Sequence, residues 1–130
     1  MIHDNIADIL TRIRNANLVK NKNVILPYTR ISWQIIKILE KQGFISSFLL
    51  INDHNKIQLK INLKYKNQKP LIHNLTRISR PGRRIFVNKK RIPNILGGLG
   101  ILILSTDRGI ISDREARFYK IGGELLCSIY

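Results

Sequence analysis

An α+β fold in two small domains is what this 130-residue sequence predicts, and three features carry the prediction. Up to Gln42, apolar residues recur at spacings of three and four in two stretches, the period of amphipathic helices. From Phe44 onward, and almost throughout the chain beyond Pro70, short apolar runs alternate with Gly, Pro, Asn and Asp, the pattern of strands and tight turns. Between the two regions lies Lys64 to Pro70, KYKNQKP, with the charge, polarity and proline of a connector. The boundary is placed there, giving an N-terminal α-β-α-β-β domain over 1–66 and a mostly β domain with short helices over 67–130.

The first helix is expected from Asp4, a good N-cap, with Ile6, Ile9, Leu10, Ile13 and Ala16 on its inner side. Its outer side carries Thr11, Arg12, Arg14 and Asn15, a face that suits plain solvation and also a phosphate backbone. The turn-rich Asn21 to Asn23 leads into a short strand, Val24 to Leu26, closed by Pro27. A second helix follows from Arg30 to Gln42, capped by Thr29 and ended by Gly43 where a left-handed residue is favoured. Ile31, Ile35, Ile38 and Leu39 form its expected buried stripe, and Trp33 lies off that stripe as packing. Phe44 to Ile51 and Ile57 to Leu63 read as a hairpin around Asn52-Asp53-His54-Asn55.

The C-terminal region begins with a strand expected over Leu71 to Ser79, the turn Arg80-Pro81-Gly82-Arg83, a strand from Arg84 to Val87 and the turn Asn88-Lys89-Lys90. One helical turn is expected within Ile92 to Leu96, before Gly97-Gly98. Next comes GILILSTDRGIISDREAR, Gly100 to Arg117: a strand from Ile101 to Leu104, a loop carrying Ser105 and Thr106, a turn at Asp107-Arg108-Gly109 and a return strand at Ile110-Ile111. A helix from Asp113 to Tyr119 follows, with Ser112 and Glu115 spaced as a capping box. After a Gly122-Gly123 turn the last strand runs to Tyr130, with Cys127 as a small buried hydrophobe.

Charge narrows the function. Lys and Arg number 23 against 8 Asp and Glu, a formal net charge of +15 that repels itself in a compact chain and calls for a polyanionic partner. Nucleic acid leads. A membrane surface would require a basic amphipathic helix or a polybasic block beside an apolar span, and no apolar run approaches the ~20 residues of a membrane helix. The single cysteine excludes a disulfide framework. The N-terminus has neither a secretory core nor an acid-poor, Ser-rich transit composition, so the chain is expected to act where it is made. Heavy use of Ile, Asn and Lys, residues with A/T-rich codons, points to an organelle genome or an A/T-rich bacterium.

A catalytic site is not expected. His3, His54 and His73 are scattered without metal-ligand spacing, and Cys127 has no evident base. Asp113 and Glu115 are better placed as favourable charges at a helix N-terminus than as a nuclease's metal ligands. No cofactor and no small-molecule substrate are indicated. The residues that do suggest a site are short hydroxyls and basic residues beside an aromatic. Ser105 and Thr106, next to Arg108, suit sugar hydroxyls, phosphate oxygens and base edges. Arg80, Arg83, Arg84, Lys89 and Lys90 surround Phe86, and strand alternation puts Arg84 and Phe86 on one face with Ile85 and Val87 on the other, so the ring is aimed outward to stack on an unpaired base.

Taken together, DNIADILTRIRNA, ISRPGRRIF, IPNILGGLG, the STDRG segment before DREAR, and IGGELLCSIY resemble the eighth-protein family of the bacterial-type small ribosomal subunit, most of all its plastid-encoded members. The resemblance runs the length of the chain. It implies a non-enzymatic, two-domain α+β protein that binds the central domain of 16S-type rRNA, helps to assemble the subunit platform and has other small-subunit proteins as neighbours. It also implies a place on ribosomes of the plastid stroma, with the mitochondrion or a bacterial cytoplasm as alternatives, and allows a free translational repressor as the alternative function. The family's RNA-contacting loop falls on Ser105 and Thr106, with Gly122, Gly123 and Glu124 on the adjacent turn. Where the family commonly has a further hydroxyl, this chain has Asp107, a carboxylate near phosphate that is expected to weaken the contact unless it turns away or pairs with Arg108. Where it commonly has tyrosine, the chain has Phe86, which keeps the stacking surface without the hydroxyl.

Overall fold

The computed structural model describes residues 2–130, with side chains from Asn5 onward. The chain forms two compact units, the first ending at Ile72 and the second spanning His73–Tyr130.

In the first unit α1 (Ile2–Leu18), β1 (Asn23–Pro27), α2 (Arg30–Lys41), β2 (Ile45–Asp53) and β3 (Lys56–Leu63) follow in the expected α-β-α-β-β order. The inner positions of α1, Ile6, Ile9, Leu10, Ile13 and Ala16, are all buried, as their spacing requires. The helix begins at Ile2, ahead of the expected start at Asp4, whose side chain lies outside the described residues. α2 is capped as expected: the Ser32 amide donates to Thr29 Oγ1 at 3.0 Å and the Thr29 amide donates to Ser32 Oγ at 2.8 Å, a capping box closed by serine. Its buried stripe is Ile35, Ile36, Ile38 and Leu39; Ile31, expected on the stripe, sits in the first turn and is only half-buried, and Ile36 does the packing instead. Trp33 packs edge-on against Phe48 at 5.3 Å.

β1, β3 and β2 form an antiparallel sheet in that order. The hairpin turn is tighter than expected. His54 and Asn55 have φ of +49° and +66°, so two residues suffice and Asn52 and Asp53 pair within β2. The connector is not a loose link. β4 (Tyr65–Lys66) and β5 (Lys69–Pro70) pair around Asn67 and Gln68, both with positive φ, and the Tyr65 hydroxyl donates to the Asn21 carbonyl. These contacts keep the segment with the first unit, so the division falls after Ile72 and not after residue 66.

The second unit comprises β6 (Leu75–Arg77), β7 (Phe86–Val87), a 3-10 turn at Leu96–Gly98, β8 (Ile101–Thr106), β9 (Gly109–Ser112), α3 (Asp113–Tyr119) and β10 (Gly123–Ile129). The sheet order is β6-β10-β8-β9, and β7 also pairs with β10. Four expectations are corrected. The strand over Leu71 to Ser79 is reduced to β6, because the His73 and Asn74 amides both turn to the Tyr130 carbonyl. The strand over Arg84 to Val87 is reduced to β7, because buried Ser79 clasps Ile85: its Oγ accepts from the Ile85 amide at 2.9 Å and donates to the Ile85 carbonyl at 3.3 Å. The helical turn falls on Gly97-Gly98 and not before them, since their φ of +63° and +96° is where that turn needs glycine. Finally, Ser105 and Thr106 end a strand and do not lie in a loop; only Asp107 and Arg108 form the turn.

Leu102, Leu104, Ile111, Ala116 and Leu125 make the core of this unit, with Ile85, Val87 and Ile121 among the side chains packed on it. Cys127 is fully buried, and burial pushes its thiol up to about 12.

Candidate nucleic-acid interface

β10 is the element that assembles the site. Its Glu124 pairs with Phe86 of β7 on one side and with Ser105 of β8 on the other, so three strands present Phe86, Glu124 and Ser105 in a single row. Directly opposite residues in antiparallel strands project to the same face. Gly122 and Gly123 allow the strands to close around that row. A Cβ at Gly122 would lie 2.2 Å from the Val87 carbonyl oxygen, and one at Gly123 would lie 2.2 Å from the Ser105 carbonyl oxygen. Backbone atoms cannot yield to such contacts, so the two glycines fix the approach of β7 and β8 to β10.

Within the row the three side chains have different environments. Phe86 is 63% exposed, while Ile85 and Val87 face the core, as strand alternation predicts. The Arg84 guanidinium lies over the Phe86 ring, 5.4 Å from its centroid. Beneath it the Glu124 side chain is 4% exposed, and Arg84 Nε and Nη2 donate to its two carboxylate oxygens at 3.0 Å each. That hydrogen bond, and then the Coulomb attraction, raise the Arg84 pKa above its ordinary value, and the two bonds hold the guanidinium in place. Glu124, placed by the family pattern on the contact turn, shapes this face from below through Arg84.

Ser105 is half-buried and its hydroxyl has no hydrogen-bond partner among the described residues. Thr106 differs: its Oγ1 donates to the Gly109 carbonyl at 2.9 Å and accepts from the Arg108 amide at 3.1 Å, bracing the turn. Asp107 is exposed and makes no ion pair with Arg108 or with any other described residue. Arg108 turns instead to α3, its guanidinium 4.0 Å from the centre of the Tyr119 ring.

Arg80, Arg83, Lys89 and Lys90 are exposed and have no ion-pair partner among the described residues. Arg80 and Arg83 are held by reciprocal backbone bonds of 2.9 and 3.0 Å, and the Lys90 amide donates to Asn88 Oδ1 at 3.0 Å. Arg12, Arg14 and Asn15 belong to the first unit, where all three are exposed. Arg12 is tied to Asp8 Oδ1 at 3.0 Å and to the Ile25 carbonyl at 3.1 Å.

Asp113 is scaffold: buried, it accepts from the Leu102 amide at 3.2 Å and pairs with Arg117 at 2.8 Å. The Glu115 amide donates to Ser112 Oγ at 3.3 Å, the N-cap half of the expected capping box. Among the described residues, no group of His, Cys, Asp and Glu is gathered as a metal site, and no helix is long and apolar enough to cross a membrane. Two features escaped the sequence reading. The Ser79 clasp had no signal, since a serine in a strand pattern looks solvated. Phe118 and Tyr119 did have one: two adjacent aromatics at the end of a short helix, followed by Lys120.

The sequence model of ribosomal protein S8 matches residues 4–130. The chain belongs to the ribosomal protein S8 family. It is similar to small ribosomal subunit protein uS8c of Marchantia polymorpha, 54% identical over 132 residues and covering 100% of both chains. It is also similar to uS8c of Tetradesmus obliquus, 51% identical over 138 residues with the same full coverage. Small ribosomal subunit protein uS8 of the bacterium Dictyoglomus turgidum is 46% identical over 129 residues, 99% of this chain and 98% of its own length. The protein is therefore a structural, non-enzymatic component of the small ribosomal subunit, of plastid type, with rRNA and other ribosomal proteins around it.

Proposed function

We propose that this chain is a primary binder of the central domain of 16S-type rRNA, that it helps to build the platform of the small subunit in the plastid stroma, and that the second unit makes the specific contacts. The observation that carries this reading is the row of Phe86, Glu124 and Ser105 with Arg84 clamped across it. Phe86 offers a stacking face for an unpaired base, Ser105 a hydroxyl with no partner to give up, and Arg84 a guanidinium held beside the ring by Glu124. Arg80, Arg83, Lys89 and Lys90 add phosphate contacts that raise affinity without reading sequence. The row is rigid before RNA arrives, because Glu124 holds Arg84, Ser79 holds Ile85 and Thr106 holds the turn. Little ordering entropy is then left to oppose binding. Arg14 and Asn15 on α1 supply a further polar face for phosphate.

Competition binding tests the proposal. The full chain is titrated with separately transcribed 5′, central and 3′ domains of a plastid small-subunit rRNA at raised salt. The central domain alone should retain tight binding. Equal affinity for all three domains would overturn the proposal.

A further inference from the structure

α3 ends on two aromatics that the row does not use. Phe118 is 76% exposed and Tyr119 is 42% exposed, and their rings pack edge to face with centroids 5.2 Å apart. Leaving two large rings in water forgoes a substantial hydrophobic gain, so such a pair marks a surface that something covers.

The charges around the pair say what kind of partner fits. Arg108 reaches from the β8–β9 turn and lies over the Tyr119 ring at 4.0 Å. Lys120 follows directly, exposed, its left-handed backbone (φ 58°, ψ 48°) ending the helix. Arg114, one turn earlier, is anchored to the Gly98 carbonyl. Of the nearby acids, Asp113 is buried against Arg117 and Glu115 is half-buried at the helix start, which leaves Asp107 as the exposed carboxylate. Flat aromatic surface inside a cationic rim matches a nucleotide, which brings a π-face and a phosphate together. An apolar patch on a neighbouring protein would leave those cations unanswered.

We infer that Phe118 and Tyr119, with Arg108 and Lys120, form a second rRNA-stacking site, which takes an unpaired base on the Phe118 ring and its flanking phosphate at the two cations. The inference rests on the reading of this protein as an rRNA binder. Tyr119 braces the Phe118 ring from the side, and Arg108 ties the pair to the turn that begins beside Thr106, so the two sites share one rigid support.

The test uses the full chain and a full-length transcript of plastid small-subunit rRNA, with folding checked by circular dichroism. Phe118→Ala and Phe118→Leu should each weaken binding roughly five- to a hundredfold, whereas Phe118→Trp should bind like the parent. Leucine keeps the apolar bulk but loses the aromatic face, so parent-like binding by Phe118→Leu overturns base stacking. Ser105→Ala is the control for the first site. Loss of affinity in Ser105→Ala with full affinity in both Phe118→Ala and Phe118→Leu overturns the second site alone; full affinity in all three overturns the placing of the rRNA contact on the Ser105 row with it.

Discussion

Ser105 and Thr106 stand next to each other on β8, and the structure predicts that their hydroxyls do different work. Thr106 Oγ1 makes two bonds inside the protein, at 2.9 Å to the Gly109 carbonyl and at 3.1 Å from the Arg108 amide. Each such bond is worth about 0.5–1.5 kcal/mol net, and water can replace part of it at a half-exposed turn. Thr106→Ala should therefore cost about 1 kcal/mol of stability, a fall in melting temperature of about 3–6 °C for a chain of this size. Ser105 makes no such bond, so Ser105→Ala should leave stability within about 0.5 kcal/mol of the parent. Binding to the central-domain rRNA should show the reverse ranking. Ser105→Ala loses a direct contact worth about 1 kcal/mol, close to a fivefold weakening. Thr106→Ala, which frees the Arg108 amide and loosens the turn, weakens binding less once the fraction folded is taken into account. Thermal melts followed by circular dichroism, paired with filter binding on the same preparations, measure both effects. Equal destabilisation by the two variants, or a stability loss in Ser105→Ala with unchanged RNA affinity, would refute the division of labour.

Three further outcomes follow from the same geometry. Gly123→Ala drives a Cβ to 2.2 Å from the Ser105 carbonyl oxygen and should cost about 1–3 kcal/mol or more in chemical denaturation, whereas Gly82→Ala, in open space, should stay within about 0.5 kcal/mol. Phe86→Ala should weaken RNA binding by about 1–3 kcal/mol with little change in melting temperature, because the ring is 63% exposed; a large thermal loss with unchanged binding would make it a core residue. Stability should decline on the alkaline side: the unfolded thiol of Cys127 ionises near its ordinary value of 9.0 while the buried one holds its proton to about 12. The unfolded state then binds fewer protons, so stability from this group is complete below the ordinary value and falls by about 1.4 kcal/mol per pH unit through that window. Cys127→Ala should remove this component of the slope in denaturation curves taken across it.

Much of the fold was legible because its signals are local. The spacing of Ile6, Ile9, Leu10 and Ile13 defines one face of α1, Thr29 and Gly43 bracket α2, and Ser112 marks the start of α3. The misreadings occur where distant chain segments decide. Leu71 to Ser79 looks like one strand, but at one end the Tyr130 carbonyl takes the His73 and Asn74 amides, and at the other the Ser79 hydroxyl is tied to the Ile85 backbone. Ile31 has the right spacing for the α2 stripe but is only half-buried in the first turn, and Ile36 is buried instead. At the candidate site, residue types were legible and their partnerships were not. An arginine and a glutamate forty positions apart give no sign of the two-bond clamp between Arg84 and Glu124, and nothing local distinguishes the committed hydroxyl of Thr106 from the unpartnered one of Ser105. The aromatic pair at Phe118 and Tyr119 was readable in principle, but its exposure depends on packing that only the fold supplies.

In the proposed complex, rRNA lies against the face where β7, β10 and β8 bring Phe86 and Ser105 into one row. Ultraviolet crosslinking of intact plastid small subunits, followed by mass spectrometry of the nucleotide-bearing peptides from this chain, tests that placement most directly. Crosslinks are expected on the peptides that contain Phe86 and Ser105, to nucleotides of the central domain. Crosslinks confined to residues before Ile72, with none on those peptides, would contradict it.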